Sequence, residues 1–294
     1  MRLREETTVM RVASGISKAG WKPVVLVVPA FFFVFIVPGL IQAIGFDHVV
    51  EASDGLVTYT LVNTWVGLII CVGGVALWYG DLEPADIGFN PQQLPLAAAI
   101  VIGCWLIYSL AQVIAGLVVG DLALHSTWAD PGVLATLGEA LGYFLGNAPF
   151  EELVFRGFLL VQLYLLLDGN WWQSNELART ATAVGSSSLI FTLLHLPAFL
   201  LGGIGVEMLV AIFIYALLLC LVYLRTQNIF LAIGFHALAN FSIPIFAVAE
   251  TIPLPVDLSI VWAIPAAVIV IAWPKLPFNT STSPGKTSPQ QDTV

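Results

Sequence analysis

Residues 94–119 read LPLAAAIVIGCWLIYSLAQVIAGLVV, a run without a charged side chain. Wound as an α-helix at 1.5 Å per residue it reaches about 39 Å, more than the roughly 30 Å hydrocarbon core of a bilayer. A helix that is apolar all round must be buried on every face, in a large core or in lipid. The rest of the chain agrees with lipid. Of 294 residues, 59% are hydrophobic and 10% charged, with a mean hydropathy of +0.93, against about 25% charged in an ordinary soluble chain. That composition excludes a soluble globular protein and a polar disordered one. The net charge of −9 offers no basic footprint for nucleic acid, so no nucleic-acid partner is expected. Cys71, Cys104 and Cys220 lie inside apolar runs and read as small core residues, not as a disulfide scaffold.

Outward from this stretch, runs of similar length bounded by Pro, Gly and charged clusters predict eight membrane spans. They lie at about 24–46, 59–79, 94–119, 134–167, 181–200, 206–224, 229–248 and 256–273. The fourth is too long for one simple crossing and contains Pro149, so it is expected to be tilted and kinked or to be two abutting helices. The expected fold is an all-α polytopic membrane helix bundle over 24–273. A basic cytoplasmic segment, 1–23, precedes it and a disordered cytoplasmic tail, 274–294, follows it.

Lys and Arg near span ends prefer the cytoplasm. Of the ten basic residues, all but Arg156 fall on one side of this topology: Arg2, Arg4, Arg11, Lys18, Lys22, Arg179, Arg225, Lys275 and Lys286. The loops near 47–58, 120–133, 200–205 and 249–255 contain neither Lys nor Arg. Both termini are therefore expected inside. Trp21, Trp78, Trp171, Trp172 and Trp273 fall near span ends, where indole rings anchor at the headgroups. The first apolar run exceeds the 7–15 residues usual for a signal peptide, so it is read as a retained span. The chain shows no fixed-period repeat, P-loop, CxxC, HExxH or GxSxG.

An ionisable side chain at the centre of a span costs roughly 2.5–3.5 kcal/mol on insertion scales, so each one is a functional candidate. Here they concentrate in three spans: Glu151, Glu152 and Arg156 in the fourth, His195 in the fifth, and His236 with Asn240 in the seventh. His48 and His125 fall in polar loops as surface groups. Glu152 and Arg156, four apart on a helix, should pair. Glu151 is rotated by about 100° and has no partner in its own segment. Gly138, Gly142 and Gly146 precede it at four-residue spacing and read as a packing stripe. Taken singly, the pair is a buried salt bridge and each histidine a core hydrogen-bonding group. Together, a surplus carboxylate, two imidazoles and an amide are the components of an acid–base site. Depth along the helices allows Glu151, His195, His236 and Asn240 to share one layer. Pro149, Pro197 and Pro244 flank them, as breaks that line a cavity do.

These residues resemble the CAAX-protease and bacteriocin-processing (CPBP) family of intramembrane endopeptidases, related to the type II CAAX prenyl endopeptidase. Glu151-Glu152-xxx-Arg156 is similar to its EExxxR motif, Phe191-xxx-His195 to its FxxxH and His236-xxx-Asn240 to its HxxxN, in the same order, over about residues 140–245. The resemblance implies that Glu151 and His195 activate a water, that His236 and Asn240 donate to the oxyanion, and that Glu152 and Arg156 support the helix that aims Glu151. It also implies a membrane-associated or prenylated peptide substrate, and a location in a prokaryotic cytoplasmic membrane. A zinc version uses Glu151, His195 and His236 as ligands. The expected scheme needs no cofactor, because no second carboxylate would remain as base once Glu151 bound a metal. The rival functions are a proton-coupled transporter and a membrane partner-binding or immunity-type protein without turnover.

Overall fold

The computed structural model describes residues 15–34, 37–130, 132–167, 175–248 and 261–273. Residues 1–14 and the tail 274–294, with Trp171 and Trp172, lie outside the described residues. The main helices are α1 (Trp21–Val34), α2 (Tyr59–Tyr79), α3 (Leu94–Val119), α4 (133–166), α5 (Glu176–Leu193), α6 (Val206–Thr226), α7 (Ile229–Asn240) and α8 (Ala263–Ala272). Side chains start several of them. Thr58 Oγ1 accepts from the Leu61 amide before α2, Asn175 Oδ1 from Ala178 before α5, and Asn228 Oδ1 from Phe230 before α7. Left-handed residues stop two others, Gly120 after α3 and Gln227 after α6.

Among the described residues, four helical stretches are long and apolar enough to cross a bilayer: Tyr59–Tyr79, Pro91–Val119, Glu176–Leu200 and Val206–Thr226. α1, α7 and α8 are shorter apolar helices, and α4 carries Glu139, Glu151, Glu152 and Arg156. Apolar side chains cover the outside of the bundle as well as its core. Ile102, Leu106, Leu110, Ile114 and Leu117 recur every three or four residues along the exposed face of α3, as do Val206, Val210 and Ile214 on α6. At the centre, every residue from Phe150 to Gln162 of α4 and from Leu231 to Leu238 of α7 is buried.

Close approach around α4 rests on glycine. A Cβ at Gly138 would stand 2.0 Å from the Gly55 carbonyl, one at Gly142 3.0 Å from Thr58 Oγ1, and one at Gly146 2.3 Å from Thr64 Oγ1. The stripe is a packing device, as expected. α4 itself is one helical run with π-turns at Tyr143–Asn147 and Leu153–Leu160, and Pro149 does not divide it. In a regular α-turn the proline ring would meet the carbonyl four residues earlier. The wider π-turn just ahead of Pro149 relieves that clash.

Several expectations need correction. Within the first predicted span Trp21–Val34 and Val37–Ala43 are helical, with residues 35 and 36 outside the described residues, and a turn follows at 44–46. The fifth predicted span lies within the stretch Glu176–Leu200 but is not one continuous helix: α5 ends at Leu193, and a short helix, Leu196–Leu200, resumes after a turn at Leu194 and His195, with Pro197 in its first turn where no amide is missed. The seventh stops at Asn240 instead of 248. Beyond it Phe246–Val248 (β2) pairs antiparallel with Leu122–Leu124 (β1), so the all-α reading gains a two-stranded ribbon. Two indoles fasten the connection, with Trp105 donating to the Ile243 carbonyl at 3.1 Å and Trp128 to that of Pro244 at 2.9 Å. His48 is exposed, but His125 is half-buried and its Nδ1 accepts from the Thr127 amide. Burial holds the His125 imidazole below its ordinary pKa. Trp21 and Trp78 are exposed, whereas Trp273 is buried in the core. Cys71 and Cys220 are buried and Cys104 partly so, all three as free thiols.

Candidate active site

α4 presents two polar pairs at helical spacing. Asn147 Nδ2 donates to Glu151 Oε1 at 2.8 Å, and Arg156 Nη1 to Glu152 Oε1 at 2.9 Å. α7 answers with His236 and Asn240, also four apart on one face. The two helices meet through these groups. His236 Nδ1 lies 2.7 Å from Glu152 Oε1, His236 Nε2 lies 3.6 Å from Glu151 Oε2, and Asn240 Nδ2 donates to Asn147 Oδ1 at 2.8 Å.

Both carboxylates therefore face one imidazole. Glu151 and Glu152 differ by about 100° around their helix, but the nitrogens of a histidine ring point to opposite sides and reach both. Glu152 is committed to the Arg156 guanidinium, so it accepts the Nδ1 proton of His236. That fixes the tautomer and turns Nε2 toward Glu151. At 3.6 Å the second contact exceeds hydrogen-bond length.

Arg156 is fully buried and anchored on three sides. Besides Glu152, its Nη2 donates to the Ala216 carbonyl of α6 at 3.2 Å, and its guanidinium carbon stands 4.7 Å over the Phe191 ring of α5. Glu152 is also fully buried, with Oε2 unpartnered among the described residues. Glu151 and His236 are 7% and 6% exposed and Asn240 is exposed, so the cluster opens from the Glu152 end toward the Asn240 end.

His195 stands apart from this network. Its Nδ1 donates to the Phe191 carbonyl at 2.9 Å, which leaves Nε2 as an acceptor. The Phe191 ring packs against both histidines, with its centroid 4.8 Å from that of His195 and 6.0 Å from that of His236. Among the described residues His195 makes no ion pair with Glu151. The zinc set fares likewise: Glu151, His195 and His236 do not converge as ligands, and no three His, Cys, Asp or Glu side chains do so among the described residues. Both nitrogens of His236 already face carboxylates.

Sequence reading missed Asn147 and the double use of His236. Asn147 carried a legible signal, an amide four residues before Glu151 in an apolar run. The sharing of His236 by two glutamates had none, because it arises between helices.

Residues 133–242 match the family described as type II CAAX prenyl endopeptidase Rce1-like. No curated protein matches the chain, and no solved structure matches it. The matched segment runs from the first residue of α4 to two residues past α7, so it contains every residue of the cluster. It bears out the resemblance drawn from the three motifs. With the four apolar helices among the described residues, it supports an integral membrane protein whose residues 133–242 are similar to that family.

Proposed function

From that match, centred on a carboxylate–imidazole cluster, we propose that the protein is an intramembrane endopeptidase. It hydrolyses a peptide bond in a membrane-associated peptide, with prenylated C-terminal segments as the first substrates to test. The observation that carries the reading is Glu151 facing the one free nitrogen of a histidine whose other nitrogen is held by Glu152.

Two acceptors 3.6 Å apart can both receive hydrogen bonds of about 2.8 Å from one water, whose lone pairs then point away from them. A substrate carbonyl carbon entering on that side meets the oxygen. Glu151 and His236 act as one proton-holding pair. The water's proton passes to the pair as the C–O bond forms, and returns from it to the leaving nitrogen as the C–N bond breaks. While the pair holds the proton, His236 Nε2–H and an N–H of Asn240 face the oxyanion, each such donor being worth roughly 3–4 kcal/mol. His195, packed on the same Phe191 ring as His236, is a further acceptor. The scheme uses no metal. In this reading the exposed end of the cluster at Asn240 is the entry for substrate, and the distribution of Lys and Arg supports both termini on the cytoplasmic side of a prokaryotic membrane.

Purified protein in detergent, offered a quenched-fluorescence peptide library with and without a prenylated cysteine, tests this. Glu151→Gln and His236→Ala should lose about 10²–10⁴-fold in turnover, the usual share of general acid–base catalysis, and remain folded. His195→Ala should lose less, since among the described residues its ring bonds to the Phe191 carbonyl and not to the pair. Wild-type cleavage by Glu151→Gln overturns the reading. Stoichiometric zinc whose removal abolishes cleavage replaces the metal-free scheme.

A further inference from the structure

We infer that Asn147 is a positioning residue that couples the base to the oxyanion donor; the inference rests on the endopeptidase reading above. Its amide touches both. Nδ2 donates to Glu151 Oε1 at 2.8 Å and Oδ1 accepts from Asn240 Nδ2 at 2.8 Å. The direction is forced by chemistry. An ionised carboxylate only accepts, so Asn147 turns its NH2 to Glu151, its carbonyl then faces Asn240, and Asn240 must answer with its own NH2.

Two consequences follow for the reacting atoms. One oxygen of Glu151 is tied to its own helix, so Oε2 is the oxygen left for His236 and the water. One N–H of Asn240 is spent on Asn147, so its second N–H points outward from an exposed side chain, where a substrate oxygen arrives. The residue is half-buried beside the buried Ala148 and lies in the π-turn Tyr143–Asn147. That wide turn sets the register of the amide against both partners. Without Asn147, Glu151 can rotate away from His236 and Asn240 can present either end of its amide.

The test compares Asn147→Leu, of similar size without polar atoms, and Asn147→Asp, which keeps the shape and the acceptor for Asn240 but not the donor to Glu151. Steady-state kinetics use the full chain in detergent and the best-cleaved peptide of the library. Both variants should lose up to about 100-fold in kcat, the scale of a misplaced catalytic group, with KM within about twofold. In an Asn240→Ala background, Asn147→Leu should cost clearly less than it does alone, because the two act through one bond. Unchanged kcat in a folded Asn147→Asp, or costs that simply add with Asn240→Ala, overturns the inference. If Asn147→Leu does not fold, Asn147→Asp decides alone. Glu151→Gln in parallel separates the two claims: active Glu151→Gln removes the endopeptidase reading, whereas inactive Glu151→Gln beside wild-type Asn147 variants removes only the role of Asn147.

Discussion

Glu152 and Arg156 show how one residue pair serves stability and chemistry at once. Both side chains are fully buried, and Glu152 Oε1 accepts from Arg156 and His236 together. Removing one member strands the other charge, at a cost of about 3–5 kcal/mol, although the intact pair is worth little against a well-packed apolar substitute. Arg156→Met should therefore lower the unfolding midpoint in detergent sharply. Glu152→Leu combined with Arg156→Met should recover much of that loss and still fail in turnover, because His236 Nδ1 then has no acceptor to hold its tautomer. A double variant as unstable as Arg156→Met alone would contradict this balance. The pairing of Glu152 with Arg156 was legible from their four-residue spacing, which is a property of a single helix. That His236 would stand between both glutamates was not legible, since register between α4 and α7 is set by packing.

Among the elements, α4 decides the geometry, and packing requires its glycines as it does not require Gly185 of α5. A methyl at Gly138 would stand 2.0 Å from the Gly55 carbonyl and one at Gly157 2.3 Å from that of Ile87, whereas one at Gly185 of α5 meets nothing within 4 Å. Gly138→Ala and Gly157→Ala should each destabilise by about 1–3 kcal/mol through overpacking. Gly185→Ala should be neutral or stabilise by roughly 0.5–1 kcal/mol through helix propensity. Thermal unfolding in one detergent compares the three, and equal effects would deny the close approach. The Gly138, Gly142 and Gly146 spacing announced that contact in advance. The end of α7 was concealed because Phe241 to Val248 continues the apolar run, with Pro244 as its main warning. The ribbon that follows carries a pH sensitivity of its own. His125 accepts a backbone hydrogen bond through Nδ1, and burial lowers its pKa. Folding thus favours the neutral ring, so that part of stability is intact above about pH 6.5 and is lost as pH falls below it. His125→Asn, a neutral cap, should flatten the acid side of the stability curve, and an unchanged curve would rule out this contribution.

Across the described molecule, apolar side chains cover the outside while the charges of Glu151, Glu152 and Arg156 are buried at the centre. That arrangement explains which predictions hold. A helix against lipid must be long and apolar, so α2, α3, α5 and α6 are readable from composition alone. The inner helices α4 and α7 are surrounded by protein, so they can be short or charged and their spans are not fixed by hydropathy. Orientation rests on a different force, the retention of Lys and Arg on the cytoplasmic side. Glu51, in the short helix Asp47–Ala52 of a connection without basic residues, and Arg225, at the end of α6, are both exposed and fall on opposite faces in that topology. With Cys71, Cys104 and Cys220 replaced by Ala, a membrane-impermeant maleimide added to intact cells should label Glu51→Cys. It should reach Arg225→Cys only after permeabilisation. The reverse pattern would invert the protein in the membrane. Labelling of both from outside would mean an even number of crossings between them, and with it a different path for substrate to Asn240.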